Sequence, residues 1–592
     1  MKRLAILSAW MFFLMSLSYG QSIKTRQDNI DNNAELEKLW LLSDLQTLEA
    51  KSAKLGSPLA RGLAKAEVAD AAWLLEQTWA KKLLREAYES TLPNEEEQSM
   101  LRQKPVGAPP TIPSSGEIAR NAVRGRILGI AQRDKVFADE LAGLGAERGG
   151  KQKENYMYAD LAFNSIATGD KEAAGNYILK GLDADPSIIN AGFAILDIAA
   201  KDRPAADKLI LQYIERLRTF TLSQANDSAF RVYFLLKTLM FPTDSSLAMK
   251  NILFKNSNSD IKSQQIAQAS PAVIKAYVRY LIESLSELEQ REPGSARRLH
   301  GYLLSAWLPL KQYAPELTGS FLELEKLSRR PGEDAALPSK SPEEANKEKY
   351  EKRLKESLDS DNPDELTINF AISRGDFDKA RKLIEKLPDG TQKTQFSESV
   401  NTREAVALAT KGDTLSALSL AERLNKATSM LQVYPLIINK CAARKDQPCA
   451  MDAFYRAVGK IKKADASPSA PPAGLPATII PLGKEFDPVL MGLGKLAKAV
   501  LPASKELALD ALDEMVGAAN RSELDTGQGR IGFEADVFKL LAPKNEGRVE
   551  QAALNLKDAL RQIVALAAID QWKAKELTDK AKTVRKESVT GK

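Results

Sequence analysis

The chain has 592 residues, with 84 lysines and arginines against 78 aspartates and glutamates and a formal net charge of +6. So small and dispersed an excess excludes the clustered basic face of a nucleic-acid footprint, and 6% aromatics in an Ala-, Leu-, Lys- and Glu-rich chain favour helices over sheets. Such a length accommodates several core-bearing units. The opening stretch, MKRLAILSAWMFFLMSLSYGQS, puts Lys2 and Arg3 before an apolar run from Leu4 to Leu17, with the small residues Ser18 and Gly20 ahead of Gln21. Residues 1–20 therefore read as a signal peptide, and the mature chain as exported, periplasmic or extracellular. A membrane anchor is the alternative, but the run is shorter than the roughly 20 residues of a spanning helix. Residues 21–103 read as N-terminal helical hairpins. Asn32 to Leu55 predicts one helix. In DAAWLLEQTWAKKLLREAYESTLP, Ala72, Leu75, Trp79, Leu83 and Ala87 make one stripe, with Trp73, Ala80, Leu84 and Tyr88 beside it. That broad apolar face predicts a helix packed on both sides, with both tryptophans in the core.

Residues 104–116, KPVGAPPTIPSSG, form a Pro- and Gly-rich linker. The region 117–330 reads as a central helical-repeat array, and its most informative stretch is ATGDKEAAGNYILKGLDADP. From a bend at Gly169, Ala174, Ile178, Gly181 and Pro186 follow at +5, +9, +12 and +17. Tyr158, Leu161 and Ala162 occupy apolar and small positions of the helix before it. The small residues Ala162 and Ala174 allow two helices to approach closely, Ile178 fills the groove beside the next hairpin, and Pro186 ends the helix. Gly169 supplies a left-handed residue at the helix end and Asp170 caps the helix that follows. A phosphate-cradling loop would require a preceding strand and a following Lys-Ser or Lys-Thr, and neither is present.

The pattern recurs in worn form. Lys201 marks a bend followed by Ala206 and Ile210; Gly375 one followed by Ala380 and Ile384; Gly412 one followed by Ala417; and Lys445 one followed by Ala450, Phe454 and Ala457. The bends at 169 and 201 are 32 residues apart, and those at 375, 412 and 445 are 37 and 33 apart. In this spacing and in its A-x3-F-x2-A-x4-P helix the chain resembles the tetratricopeptide repeat, whose period is about 34 residues. The resemblance implies an all-α superhelix, a solenoid of helical hairpins. With LARGLAKAEVADAAWLLEQTWAKKLLREAY, the layout is also similar to uncharacterised exported bacterial helical-repeat proteins, a likeness that implies architecture and no activity.

The remaining boundaries follow from composition. Residues 331–345 are a second linker, 346–465 a second helical-repeat segment, and 466–488, with six prolines, a Pro-rich linker that cannot stay helical. Within that linker ATII is placed to lie as an extended strap. Residues 489–592 read as C-terminal helices with a basic tail, the last helix capping the array.

Residue types exclude several chemistries. His300 is the only histidine, so neither a two-histidine zinc site nor an H-E-x-x-H helix can be assembled within the chain. A Ser-His-Asp or Cys-His arrangement would have to use His300, which lies beside Arg297 and Arg298 and has no Gly-x-Ser-x-Gly elbow to serve. The carboxylate runs EEEQSM, DSDNPDEL and SPEEANKEKYEKRLKESLD sit among polar residues and lysines and read as solvated faces, not as a dry acid-base pair. Cys441 and Cys449, the only cysteines, fall on opposite arms of the hairpin bent at Lys445. In an oxidising compartment a disulfide across that bend is open to them, adding about 2–3 kcal/mol on a chain-entropy argument. No catalytic, metal or cofactor residues are assigned, and no cofactor is expected. The reading is a non-enzymatic exported scaffold for protein–protein interaction in the cell envelope, binding a protein or peptide in its concave groove, with no nucleic-acid partner and no membrane span once the signal is removed. The alternatives are a cell-wall enzyme of lytic-transglycosylase-like helical architecture, for which Glu398 in FSESV is the nearest echo of a catalytic glutamate, and a purely structural spacer.

Overall fold

The computed structural model describes residues 35–92, 115–149, 151–184, 189–222, 228–242, 266–329, 342–360, 363, 365–463 and 487–590. The leader 1–20, Pro186, residues 104–114, 331–341 and 466–486 of the three linkers, and the carboxylate run EEEQSM lie outside the described residues. Every regular element among the described residues is a helix: the fold is all-α, a helical-repeat protein built of hairpins.

In chain order the helices are α1 (35–53), α2 (Pro58–Ala72), α3 (Gln77–Glu89), α4 (Ser115–Ala131), α5 (Lys135–Gly149), α6 (Lys151–Ala167), α7 (Lys171–Ala184), α8 (Ile189–Lys201), α9 (Arg203–Arg218), α10 (Ser228–Met240) and α11 (Pro271–Arg291). Three short helices between Ser295 and Tyr313 lead to α12 (Thr318–Ser328). There follow α13 (Pro342–Asp359), α14 (Glu365–Arg374), α15 (Phe377–Glu385), α16 (Thr391–Lys411), α17 (Thr414–Ala421), α18 (Ala427–Ala443) and α19 (Gln447–Ile461). The last are α20 (Pro488–Val500), α21 (Lys505–Ala519), α22 (Asp536–Leu541), α23 (Glu546–Leu554) and α24 (Ala559–Thr590).

One bend geometry recurs. At Gly169, Gly375, Gly412 and Lys445 the backbone is left-handed, with φ of 84°, 81°, 93° and 58°. In each case that residue's N–H donates to the carbonyl three residues back, and the aspartate after it donates to the carbonyl five residues back, all between 2.9 and 3.2 Å. This is the double bond that closes a helix C-terminus around a left-handed residue. The aspartate then starts the next helix. Asp170, Asp413 and Asp446 accept from the N–H groups of Ala173, Ser416 and Cys449 at 3.0, 3.1 and 3.2 Å. Asp376 instead accepts from the Tyr350 hydroxyl at 2.9 Å. The Lys201 bend is tighter: Asp202 alone separates α8 from α9 and caps Ala205 N–H at 3.2 Å.

Four residues beyond each aspartate stands an alanine: Ala174, Ala206, Ala380, Ala417 and Ala450 are all fully buried. No larger side chain separates the two arms of a hairpin there, which is what close helix approach requires. Ile178, Ile210, Ile384, Phe454 and Ala457 are buried as well. A further bend of the same kind lies at Asp134, which caps Phe137 N–H at 3.2 Å and precedes the buried Ala138. It has no left-handed glycine, the signal by which the Gly169, Gly375 and Gly412 bends are recognised in the sequence.

Packing divides the described residues into two compact units: 35–90, 401–463 and 487–590 make the first, and 91–400 the second. In the second, α4, α6, α8 and α10 are the first helices of successive hairpins and contact one another in order, each backed by α5, α7, α9 or α11. A smaller core around Tyr350, Ile368, Leu383 and Val400 belongs to α13–α16 of the same unit. In the first unit one core runs from Ala405 to Ile569.

Two expectations about the chain ends need correction. The stripe from Ala72 to Ala87 is not one helix: α2 ends at Ala72, residues 73–76 turn, and α3 starts at Gln77. Neither Gly nor Pro marks the break. It is set by tertiary packing, since α2 is held between α3 and α24 and buries 11 of its residues. Trp73 is core, but Trp79 on α3 is only half-buried and Leu74 in the turn is exposed. Nor does α24 form a free capping end, because α2 covers it.

Candidate functional site

The first helices of the second unit supply the face with the most distinctive chemistry. Over α4 to α9, first helices pack on first helices more extensively than α5 does on α7 or α7 on α9. Glycines permit the approach. A Cβ at Gly192 of α8 would fall 2.2 Å from Leu235 Cδ2 of α10, so any larger residue there requires the Leu235 side chain to move.

Gly125 and Gly129, one turn apart on α4, face Asp160 and Asn164, one turn apart on α6. A Cβ at these glycines would stand 3.4 Å from Asp160 Oδ2 and 3.2 Å from Asn164 Nδ2. Beside them Gln132 Nε2 donates to Leu161 O at 2.6 Å and to Ser165 Oγ at 3.3 Å. The result is a polar strip between these first helices. Asp160 and Asn164 are partly exposed. Burial pushes the Asp160 carboxyl up to about 7. A carboxyl so placed can accept a hydrogen bond or a cation from outside the chain.

The outer bends are tied by ion pairs that fix register. Lys135 beside Asp134 pairs with Asp170 at 2.8 Å, and Lys171 beside Asp170 pairs with Asp202 at 2.8 Å. Lys135 holds the Asp170 carboxyl below the usual carboxylate range, and Lys171 does the same for Asp202. The second helices are linked by Lys180–Asp139 at 2.8 Å, Arg216–Asp183, and Arg218–Glu283 at 2.9 Å. These are surface pairs of small individual worth.

In the first unit, residues 520–535 form a largely irregular loop that the sequence reading passed over, although TGQGRIG in so helical a chain is a visible signal. Gly529 and Gly532 are left-handed, and a Cβ at Gly532 would lie 2.9 Å from Leu490 and from Leu524. Thr526 donates to Asp558 at 2.8 Å and Ser522 to Asp487 at 2.7 Å. Arg561, 2% exposed, reaches Ile531 O at 3.0 Å and also Ala519 O. Charge that could recognise a ligand is spent on holding the loop.

The other singled-out residues are structural. His300 Nδ1 is 2.8 Å from Ser328 Oγ, but Ser328 is 2% exposed and gives its proton to Glu325 O at 2.7 Å, so it is not an activated nucleophile. Glu398 is buried within α16 and engaged with neighbours. Cys441 and Cys449 are joined by a disulfide across the Lys445 bend, their Cα atoms 5.7 Å apart. No group of three potential metal ligands occurs among the described residues, and none of their helices is long and apolar enough to cross a membrane.

The chain matches no family model and no curated protein. Among solved structures it is similar to a circular tandem repeat protein with novel repeat topology and enhanced subunit contact surfaces. That likeness has 11% identity and a TM-score of 0.16, over 90% of this chain and 99% of the other. At that TM-score it carries no argument about this protein.

Proposed function

We propose that the protein is a non-enzymatic scaffold that receives an extended segment of a partner protein along the inner face of α4, α6 and α8. What carries the reading is the Asp160–Asn164 strip: polar groups between the first helices of stacked hairpins, admitted by glycines, with an acid whose carboxyl is pushed up by burial. An extended segment offers main-chain donors and side-chain cations at regular intervals, the chemistry such a strip can satisfy. The tetratricopeptide-like spacing of the bends supports the same reading. Export to the cell envelope by the leader 1–20 belongs to this proposal, as does the absence of catalysis.

The test is site-specific photo-crosslinking in the native envelope. A photoreactive residue at Asn164 is expected to give a discrete protein adduct, and one at the exposed Glu172 of α7 is not. Equal or absent labelling from both positions would overturn the reading.

A further inference from the structure

Three of the four left-handed bends carry glycine; the fourth carries Lys445, at φ 58° the only non-glycine residue with positive φ among the described residues. A side chain disfavours that conformation, because Cβ crowds the following carbonyl. The hydrogen-bond frame of the bend is nevertheless the same as at the Gly169 and Gly412 bends. It turns on Asp446, whose N–H donates to Cys441 O at 2.9 Å and whose Oδ1 accepts from Cys449 N–H at 3.2 Å. The disulfide joins these same two residues, Cys441 and Cys449. At the glycine bends the corresponding pairs are Ser165 and Ala173, Ala371 and Lys379, and Leu408 and Ser416. The one left-handed bend lacking the permissive residue is the one closed covalently at both ends of its hydrogen-bond frame.

We infer that the Cys441–Cys449 disulfide substitutes for glycine, so that the left-handed turn at Lys445 persists only while the bridge is oxidised. The device reaches beyond its own hairpin. Arg444, next to Lys445, donates to Gly412 O at 3.0 Å and to Thr414 Oγ1 at 2.7 Å, holding the preceding bend. Gln447 donates to Ala503 O at 3.1 Å, holding the turn that leads into α21. Opening the Lys445 bend releases both. Of the two sulfurs Cys449 is on the partly exposed residue and Cys441 is buried. A dithiol reductant therefore attacks Cys449 Sγ as thiolate, and the S–S electron pair leaves on Cys441 Sγ, which takes a proton. The reductant's second thiolate then displaces Cys449, which is also protonated. Two electrons and two protons pass to the chain, and the dithiol ends as a disulfide.

Amide hydrogen exchange on the full chain tests this. Treating the wild type with a dithiol is expected to raise exchange at Asp446 and Cys449 about tenfold, the scale of a left-handed penalty, and to raise it at Thr414. The bends at Gly169 and Gly375 should be unmoved. Cys441→Ser/Cys449→Ser should behave like the reduced protein. Lys445→Gly added to that variant should restore protection to within about twofold of the oxidised protein, while Lys445→Gly with the bridge intact should change little. Unchanged exchange at Asp446 and Cys449 on reduction would overturn the inference. So would failure of Lys445→Gly to rescue the bridge-free protein, since the bridge would then serve something other than the turn. Should the double serine variant not fold, reduction of the wild type and of Lys445→Gly gives the same comparison.

Discussion

Asp570 shows how much one misplaced charge can say about a fold. It lies on α24, is 6% exposed, and its carboxyl is pushed up to about 7. Burial is the chief cause, opposed by Lys573 and reinforced by Asp44, Glu550 and Glu546. The folded-state value exceeds the unfolded one near 4, so the folded state holds the proton more tightly between about pH 4 and 7. Stability therefore falls as pH rises through that window and stays lower above it. Asp570→Asn is expected to flatten this dependence and to stabilise the first unit at pH 8 by on the order of 1–4 kcal/mol. Urea unfolding followed by tryptophan fluorescence at pH 5 and pH 8 checks it, and an unchanged pH dependence would refute the assignment. Nothing in the sequence around Asp570 foretells the shift, because the groups that cause it come from α1 and α23 as well as from α24 itself.

At the scale of an element, the hairpin bend decides what can be read in advance. Gly169 and Asp170 are legible because both act within six residues: one supplies the left-handed turn, the other caps the next helix. The Asp134 bend, which lacks the glycine, was missed, and so was the break at residues 73–76, which α24 imposes from the far end of the chain. The loop 520–535 was missed for a related reason, since its ordering rests on Asp487, Asp558 and Arg561. Two aspartates in equivalent positions should also respond differently to substitution. Asp170→Ala removes a cap and is expected to cost about 1 kcal/mol, seen as faster exchange at the Ala173 amide. Asp376→Ala leaves no cap to lose, because that carboxylate accepts from Tyr350 of α13. Its effect should appear in the packing of α13, as increased exposure of Tyr350 to a fluorescence quencher. Faster exchange confined to the start of α15 would contradict that difference.

For the whole molecule, the informative fact is which segments share a core. The first unit joins residues 35–90 to 401–463 and 487–590, with α2 lying against α24, while 91–400 makes a unit of its own. Deleting residues 559–590 should therefore unfold a segment almost five hundred residues upstream. The expected result is lost amide protection throughout α2 and a red-shifted emission from Trp73, with protection in α6 and α7 retained. Retained protection in α2 would show that the N-terminal hairpin stands without its partner. The same pairing sets an order of events during synthesis. Residues 91–400 can reach their native contacts while the ribosome is still at work, but α2, with α3 already beside it, must wait for α24 before its other side is covered. Through that interval a helix with 11 buried residues in the finished protein is without its cover. The slowest step in maturation, and the state most in need of a chaperone, is therefore expected at the beginning of the chain rather than at its end.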